Sequence, residues 1–283
     1  MLSDLIEKRL GEAVRILPFD VEKAIEAALK SEDDPLGLTV LTRIKENIEK
    51  AKESPLPLCQ DTGMFTILLS IGKEASVDLI YLISEIEKGC KNAAEKYFFR
   101  KSIVSDPIYD RKNTKTNMPL SLSSEIVDGS DITIGILLKG FGSENCSSVR
   151  MLRPTGGEDA VVEAVLDIMK KAGGKPCPPV FLGIGVGGTM EKAAFLSKKA
   201  LLRDVGVENK DARYSALEKR ILREVNSLNI GPGGLGGKNS CLSVSIEYMP
   251  THIAGLPLAV SVNCWADRKV IITLKGGVYE ENA

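Results

Sequence analysis

Apolar side chains recur every three to four positions along the first part of the chain, up to about residue 50. This is the period of an amphipathic helix, so the sequence predicts three helices in succession. Their apolar positions are Leu2, Leu5, Ile6, Leu10 and Val14, then Val21, Ala24, Ile25, Ala28 and Leu29, and, after Asp34-Pro35, Leu38, Leu41, Ile44 and Ile48.

Beyond residue 55 the pattern changes to short apolar runs of strand length, separated by further helical stretches. The predicted strands are 64–71, 120–127, 132–139, 180–186, 242–248, 256–262 and 270–274, and the predicted helices are 77–97, the stretch from Thr155 to Gly173, 189–203 and 212–226. This mixture indicates an α/β fold of the mixed α+β type, in which a helical N-terminal segment is followed by mixed β-sheets flanked by helices. We expect one domain over 1–283, with 1–55 as the helical segment and 56–283 as the α/β part.

Two local patterns make sharper predictions. The turn residues Asp128-Gly129-Ser130 separate the strands 120–127 and 132–139, which indicates that these two strands pair with each other. Thr155 is followed three residues later by Glu158, the spacing of a capping box, so we expect this pair to begin the next helix.

Composition excludes several classes of protein. The net charge of −1 provides no attraction for nucleic acid or an anionic membrane, and the 5% of aromatic residues is too few for a base-stacking surface. The longest apolar run, Ile132 to Leu138, is far shorter than the roughly 18 residues of a membrane span. The N-terminus carries acids and helical periodicity, unlike a signal peptide. Cysteines in irregular spacing without a signal peptide predict a cytoplasmic protein.

Two glycine-rich segments resemble nucleotide-binding motifs. Gly183 to Gly188 fits G-x-G-x-x-G between a predicted strand and helix, but the following stretch, 212–226, is helical where a dinucleotide fold requires a strand ending in an acid. We therefore interpret it as a closely packed strand-to-helix turn. Gly231 to Asn239 departs twice from the phosphate-loop spacing, which favours a flexible loop near a shared site.

Three of the six cysteines lie in segments of unusual local chemistry. Cys59 and Cys177 are bracketed by Pro and Gly, which indicates loops, and Cys264 follows a strand-like run. Three thiolates from separate loops can hold a [4Fe–4S] cluster and leave its fourth iron available as a Lewis acid. The alternative is that all six cysteines are buried and behave as small apolar side chains, since no two of them have the spacing of a zinc motif.

Two further residues are candidates for function. His252 is the only histidine, and a lone histidine is more often structural than catalytic, but its position in a turn between two predicted strands favours function, so both roles stay open. Arg100 follows an aromatic-rich helix end and is either a solvated terminal charge or a bidentate clamp for a carboxylate.

Taken together and in order, these segments resemble the class I, iron–sulfur-dependent hydro-lyases, the family of the oxygen-sensitive fumarases and L-tartrate dehydratases. The resemblance is to the alpha subunit of the two-subunit form, equivalent to the N-terminal domain of the one-chain form. The matching stretches are Pro57 to Gly63, Gly140 to Asn145, Lys175 to Pro179, Gly187 to Thr189, Gly233 to Lys238, Pro250 to Leu258 and Asn263 to Arg268.

The resemblance implies roles for individual residues. Its cluster ligands correspond to Cys59, Cys177 and Cys264, which implies a [4Fe–4S] cofactor. Its substrate-binding positions correspond to Gln60, Arg100 and Gly142, and its active-site histidine to His252. With His252, Asp61 is the candidate for proton delivery to the leaving oxygen. Phe141 and Glu144 depart from the one-chain pattern around Gly142. Cys90, Cys146 and Cys241 match no ligand position, so we expect them to be buried thiols.

The resemblance also implies a reaction and a partner. We expect reversible hydration of fumarate to L-malate. The alternatives are L-tartrate dehydration or mesaconate hydration and, in a different class, a non-catalytic nucleotide-binding subunit that uses Gly183 to Gly188. A dicarboxylate needs more cationic clamps than Arg100, and no residue here is an evident base for the carbon proton. We therefore expect a beta subunit, in an α2β2 complex, to complete the site, and we expect the chain alone to bind the cluster with little activity.

Overall fold

Within residues 1–277, the part of the chain that the computed structural model describes, two four-stranded sheets and their flanking helices form the fold. The helices are α1 (Leu2–Ala13), α2 (Phe19–Ser31), α3 (Pro35–Glu53), α4 (Leu79–Lys96), the single turn α5 (Phe141–Glu144), α6 (Gly157–Ala172), α7 (Met190–Ala200) and α8 (Ala212–Asn226). The strands are β1 (Met64–Gly72), β2 (Ser121–Val127), β3 (Ile132–Lys139), β4 (Ser148–Leu152), β5 (Val180–Gly188), β6 (Cys241–Thr251), β7 (Leu256–Asn263) and β8 (Lys269–Leu274). The mixed α/β class expected from the sequence is confirmed.

The chain divides into two units, each built around one sheet. Unit 1 consists of Met1–Pro18, Ile48–Lys139 and the segment that begins at Arg268. Unit 2 consists of Phe19–Asn47 and Gly140–Asp267. Each unit has its own buried apolar core, so each is described separately below.

In unit 1 the helices α1 and α4 pack with the sheet β2-β1-β3-β8. Ile6 and Ile86 on the helices and Phe65 and Ile134 on the strands are fully buried in this core. Asp78 caps α4, because its side chain accepts hydrogen bonds from the amides of Ile80 and Tyr81 at 2.9 and 3.1 Å.

The predicted pairing of 120–127 with 132–139 is wrong, because β1 lies between these strands. β1 runs parallel to β2 and antiparallel to β3, so its backbone is hydrogen bonded along both edges. β1 is largely buried, as suits an interior strand, whereas β2 is mostly exposed, as suits an edge strand. The turn around Gly129 instead contacts the end of β1, where the Gly72 amide donates to the Asp131 carbonyl at 2.9 Å.

In unit 2 the strand order is β4-β7-β5-β6, with β5 parallel to β6 and antiparallel to β7. The helices α6 and α8 pack on one face of this sheet, where Val165, Ile221 and Ile184 are fully buried. Strand β4 was missed by the sequence analysis, because this short edge strand alternates between exposed and half-buried positions and contains Arg150.

Helix α7 packs on the opposite face of this sheet, and the glycines of β5 allow its close approach. A Cβ atom at Gly185 would lie 2.0 Å from the Ala193 carbonyl oxygen, and one at Gly183 would lie 2.1 Å from the Ser197 carbonyl oxygen. The close-packing interpretation of Gly183 to Gly188 is therefore confirmed, although these glycines belong to the strand itself and not to a turn after it.

The expected capping box at Thr155 and Glu158 is wrong. A 3₁₀ turn at Pro154–Gly156 precedes α6, so Thr155 lies inside that turn and Gly156 occupies the N-cap without a side-chain hydrogen bond. Glu158 instead pairs with Arg220 on α8 at 2.8 Å. No helix within residues 1–277 is long and apolar enough to cross a membrane.

Candidate functional site

Each of the three cysteines singled out by the sequence borders an interior strand of its sheet. Cys59 precedes β1, Cys177 precedes β5, and Cys264 directly follows β7. All three strands have a hydrogen-bonded neighbour on both sides. The cysteines are therefore attached to the parts of each unit whose backbone positions are most firmly fixed.

In unit 1 the segment from Cys59 to Gly63 is fixed at several points. The Leu58 amide donates to the Val14 carbonyl at 2.9 Å, and the Asp61 carboxylate accepts from the Gly63 amide at 3.1 Å. Gly63 has φ of +83°. A Cβ atom there would lie 2.7 Å from the backbone of Lys139, so only glycine fits.

Thr62 links this segment to Arg100. The buried Thr62 hydroxyl accepts from the Arg100 amide at 2.9 Å, while the Arg100 side chain is exposed. The buried Asn117 donates to the Gly63 carbonyl at 3.3 Å and accepts from the Ser102 amide at 3.5 Å. Unit 1 therefore brings the backbone of Arg100 beside the loop that carries the exposed Gln60 and the half-buried Asp61.

Arg268 also contacts this loop. Its Nη2 atom donates to the Asp61 carbonyl at 2.8 Å, although the residue is only 1% exposed. Its Nε and Nη1 atoms are buried and make no hydrogen bond within residues 1–277. Lys139 and Lys269 are buried in unit 1 as well.

In unit 2 the loops of Cys177 and Cys264 meet. The Trp265 amide donates to the Cys177 carbonyl at 3.4 Å. Cys177 has φ of +54°, in the left-handed region that residues other than glycine rarely adopt. The Pro178 carbonyl accepts from the Gly233 amide at 2.7 Å, so the glycine-rich loop supports the Cys177 loop from another side.

Gly142 lies close to the same two loops. A Cβ atom there would be 3.8 Å from the Lys175 carbonyl oxygen, and nothing else would be within 4 Å. The adjacent Ser143 hydroxyl donates to the Asn263 side-chain oxygen at 3.5 Å, and the Asn263 side-chain nitrogen donates to the Asp267 carboxylate at 2.5 Å. Helix α5, the Cys177 loop and the end of β7 therefore converge in unit 2.

Glu32, which directly follows α2, holds the glycine-rich loop from Gly231 to Asn239. It is 6% exposed and accepts from the amides of Lys238 and Asn239 at 3.1 Å and from the Asn239 side chain at 2.9 Å. Burial raises the pKa of Glu32, but these hydrogen bonds and one from the Asp34 amide outweigh it, so the net pKa is lowered.

His252 lies in the turn between β6 and β7, as expected, and its side chain is exposed. Its Nδ1 atom accepts from the Ala254 amide at 3.2 Å. In the neutral ring the proton is therefore on Nε2, which is the nitrogen that can donate it. The turn spans the width of β5, because β6 and β7 lie on opposite sides of that strand.

Burial separates the six cysteines, none of which forms a disulfide. Cys177 is exposed, and Cys59 and Cys264 are half-buried. Cys90 and Cys241 are buried as expected, and burial raises the pKa of each thiol to about 12. Cys146 was expected to be buried and is only half-buried, because it follows the single turn α5, and its thiol lies 3.5 Å from the Gly142 carbonyl.

No group of three His, Cys, Asp or Glu side chains in the described part of the chain forms a metal site. Cys59 belongs to unit 1 and the other two candidate ligands to unit 2, so the three-cysteine set stays a prediction. The sequence analysis missed the supporting residues Thr62, Asn117 and Glu32. A polar residue in an ordinary segment gives no signal of burial. Thr62 and Arg268 lie within stretches that carry the resemblance, Pro57 to Gly63 and Asn263 to Arg268, but their residue types alone predict no supporting role.

Comparison with known proteins extends the resemblance over nearly the whole chain. Residues 3–273 match the family model described as fumarate hydratase (Fumerase). A candidate L(+)-tartrate dehydratase subunit alpha of Methanocaldococcus jannaschii is 41% identical over 280 residues, which cover 97% of this chain and 98% of that protein. The L(+)-tartrate dehydratase subunit alpha of Escherichia coli K12 is 29% identical over 272 residues, which cover 94% of this chain and 88% of that protein. The chain therefore belongs to the fumarate hydratase (Fumerase) family, within the group of hydro-lyases formed by the class I iron–sulfur fumarate hydratases and the tartrate dehydratase alpha subunits.

Proposed function

We propose that this chain is the alpha subunit of an iron–sulfur hydro-lyase for a small hydroxydicarboxylate, with L-tartrate as the first candidate substrate. The observation that carries this proposal is the 41% identity, over almost the full length of both chains, to a relative named as a candidate L(+)-tartrate dehydratase alpha subunit. The names of the relatives thus move tartrate ahead of fumarate, which the sequence analysis had put first. We treat 1–283 as one functional domain, with the cluster bound by the part from 56 on.

Hydration of fumarate to L-malate is the second candidate, because the matching family model is that of fumarate hydratase. The two can be separated by anaerobic assays of the chain with its partner subunit, using L-tartrate, fumarate, L-malate and mesaconate. We expect kcat/KM for L-tartrate to exceed that for the others by about 10-fold or more, since a site that hydrogen bonds a substrate hydroxyl discriminates strongly against analogues without it. A preference for fumarate and L-malate would reverse the order of the two candidates.

The cofactor would be a [4Fe–4S] cluster held by Cys59, Cys177 and Cys264. Donor chemistry supports this choice, because these thiols are exposed or half-buried, whereas the raised pKa values of Cys90 and Cys241 disfavour the thiolate that binds iron. When bound, the cluster would supply a Lewis acid for the oxygen atoms of the substrate.

Single replacements by serine test the ligand set. We expect anaerobically reconstituted wild-type chain to bind about four irons, as a [4Fe–4S] cluster requires, and each of Cys59→Ser, Cys177→Ser and Cys264→Ser to lose most of them. Cys146→Ser is the matched control, because the Cys146 thiol is also half-buried. We expect this variant to bind as much iron as the wild type. Full iron in a ligand variant would remove that cysteine from the set.

The remaining residues would bind the substrate and move a proton. The exposed Arg100 guanidinium would orient one carboxylate, with Gln60 and Gly142 beside the substrate. Loss of water requires a proton at the leaving hydroxyl, and the candidates are the Asp61 carboxyl and the Nε2–H of His252. Holding Nδ1 as an acceptor keeps the His252 proton on the outward nitrogen.

A beta subunit would complete the site. Relatives that match nearly the whole chain are named as alpha subunits, and we infer an α2β2 complex from the family resemblance. The cluster-loaded chain alone should show less than about a hundredth of the activity of the complex, since removing groups that act in the transition state costs factors of this size. Equal activity with and without the partner would contradict this division of the site.

The alternative of a nucleotide-binding subunit loses its main support. Helix α7 approaches Gly183 and Gly185 so closely that a Cβ atom at either would overlap its backbone. These glycines therefore have a packing role that requires no ligand. A thermal shift of several degrees with NAD or ATP would restore that alternative.

A further inference from the structure

The guanidinium of Arg268 is almost fully buried in unit 1 and yet makes only one hydrogen bond within residues 1–277, to the Asp61 carbonyl at 2.8 Å. An arginine keeps its positive charge in a protein, and a buried charge is stable only when it is paired and hydrogen bonded. The Nε and Nη1 atoms are buried without a hydrogen-bond partner in residues 1–277. Two donors of a permanent cation are therefore unsatisfied beside the loop that carries Cys59.

Other cations lie at the same end of the unit 1 sheet. Lys139 is in register with Met64, the first residue of β1, and Lys269 is in register with Leu137, near the end of β3. Both lysines are buried. The loop from Cys59 to Gly63 thus enters the sheet at the end where these two lysines and Arg268 lie, and the unsatisfied donors there are those of Arg268.

We propose that Arg268 is a positioning residue that performs two tasks in the proposed cluster site. Its Nη2 atom fixes the Asp61 carbonyl and, through it, the loop of Cys59. Its other N–H groups donate to an anionic acceptor, which is either the thiolate-bound cluster or a carboxylate of the substrate. This inference rests on the proposed function, because that function supplies the anion.

The test compares three variants after anaerobic reconstitution of the full chain. Arg268→Met removes the charge and the hydrogen-bond donors. Arg268→Lys keeps the charge but lacks the planar guanidinium group with its fixed set of N–H donors. Arg203→Met is the matched control, because Arg203 lies in unit 2 and pairs with Glu218. The measurements are iron per chain, the rate of iron loss to a chelator, the reduction potential of the cluster and, with the partner subunit, KM and kcat.

We expect Arg268→Met to lose iron at least about 10-fold faster than the wild type, as is typical when a residue that orients a metal ligand is removed. Its reduction potential should fall, because a buried positive charge favours the reduced cluster. Arg268→Lys should restore the potential but lose iron faster than the wild type. Arg203→Met should match the wild type in both measurements.

The outcomes separate the two acceptors and the two hypotheses. A lowered potential without substrate identifies the cluster as the acceptor, whereas an unchanged potential with KM raised about 10-fold and kcat retained identifies the substrate carboxylate. If the wild type loads iron and both Arg268 variants equal it in every measurement, this inference alone is overturned.

If the wild type loads no iron with its partner present, the proposed function is overturned, and this inference with it. Should Arg268→Met fail to fold by circular dichroism, a folded Arg268→Lys with the iron-loss rate of the wild type would still overturn the positioning role.

Discussion

Gly142 has space for a side chain. A Cβ atom there would meet only the Lys175 carbonyl oxygen, at 3.8 Å, and its backbone is helical. Gly142→Ala should therefore fold with the stability of the wild type. If Gly142 faces the substrate, the added methyl group should raise KM by about 10-fold or more, since one displaced contact costs 1–3 kcal/mol.

Thermal unfolding and steady-state kinetics of Gly142→Ala separate these effects. Gly255→Ala is the matched control, because its Cβ atom would also meet nothing closer than 3.8 Å. A variant as stable as the wild type with unchanged KM would remove Gly142 from the substrate site.

Glu32 predicts a pH dependence of stability. Its pKa in the folded chain is lowered, because the hydrogen bonds from Asn239, Lys238 and Asp34 outweigh the raising effect of burial. A carboxyl group with a lowered folded pKa stabilises the fold fully above its unfolded pKa, about 4.3, and this contribution is lost as the pH falls through the folded pKa. Glu32→Gln should lower the free energy of unfolding by about 1–3 kcal/mol at pH 7 and by less near pH 3.

Urea unfolding of wild type and Glu32→Gln at several pH values tests this prediction. Glu26→Gln is the control, because Glu26 lies on α2, just before Glu32 along the chain, and is exposed. A difference between wild type and Glu32→Gln that stays constant from pH 7 to pH 3 would contradict it.

At the scale of elements, the contact of α7 with β5 depends on glycine. A Cβ atom at Gly185 would lie 2.0 Å from the Ala193 carbonyl oxygen and 2.6 Å from the Ser197 amide nitrogen. Both are backbone atoms, which cannot move aside without shifting the helix. Gly185→Ala should therefore lower the free energy of unfolding by about 1–3 kcal/mol or more, measured in urea, while Gly255→Ala changes it by less than about 0.5 kcal/mol. If both substitutions change the free energy of unfolding equally, α7 can shift to accommodate a side chain at position 185 without loss of stability.

Periodicity predicted which segments are helices and strands, but not which strands are neighbours. The apolar run 64–71 and the helix 212–226 were found to within a residue or so, because each pattern is local. The order β2-β1-β3 was missed, since β1 comes from a distant part of the chain and nothing in the turn at Gly129 indicates an inserted strand. The capping box failed for a similar reason, because the 3₁₀ turn that displaced Thr155 depends on its surroundings.

At the scale of the whole molecule, sequence marked the residues with distinctive chemistry and missed those that support them. Cys59, Cys177 and His252 stood out as candidates because cysteine and histidine in Pro- or Gly-rich loops are unusual. Glu32 and Asn117 were missed because a buried carboxylate or amide has no sequence pattern, and its partners are distant along the chain. Burial and hydrogen bonding of such groups exist only after folding.

Because the three candidate ligand cysteines are attached to interior strands, we expect the fold to stay intact when the proposed cluster is absent. The β1, β5 and β7 backbones are hydrogen bonded on both edges, and the two apolar cores do not include Cys59, Cys177 or Cys264. If the proposed cluster is bound, its loss to oxygen should therefore leave a folded chain that can take up iron and sulfide again. After iron removal, the amides of these three strands should stay protected in hydrogen exchange, and faster exchange should be confined to the cysteine loops. Loss of this protection across β1 would mean that the proposed cluster stabilises the fold. Oxidation of the cluster would then unfold the chain, and the cell would have to replace the protein instead of repairing its cluster.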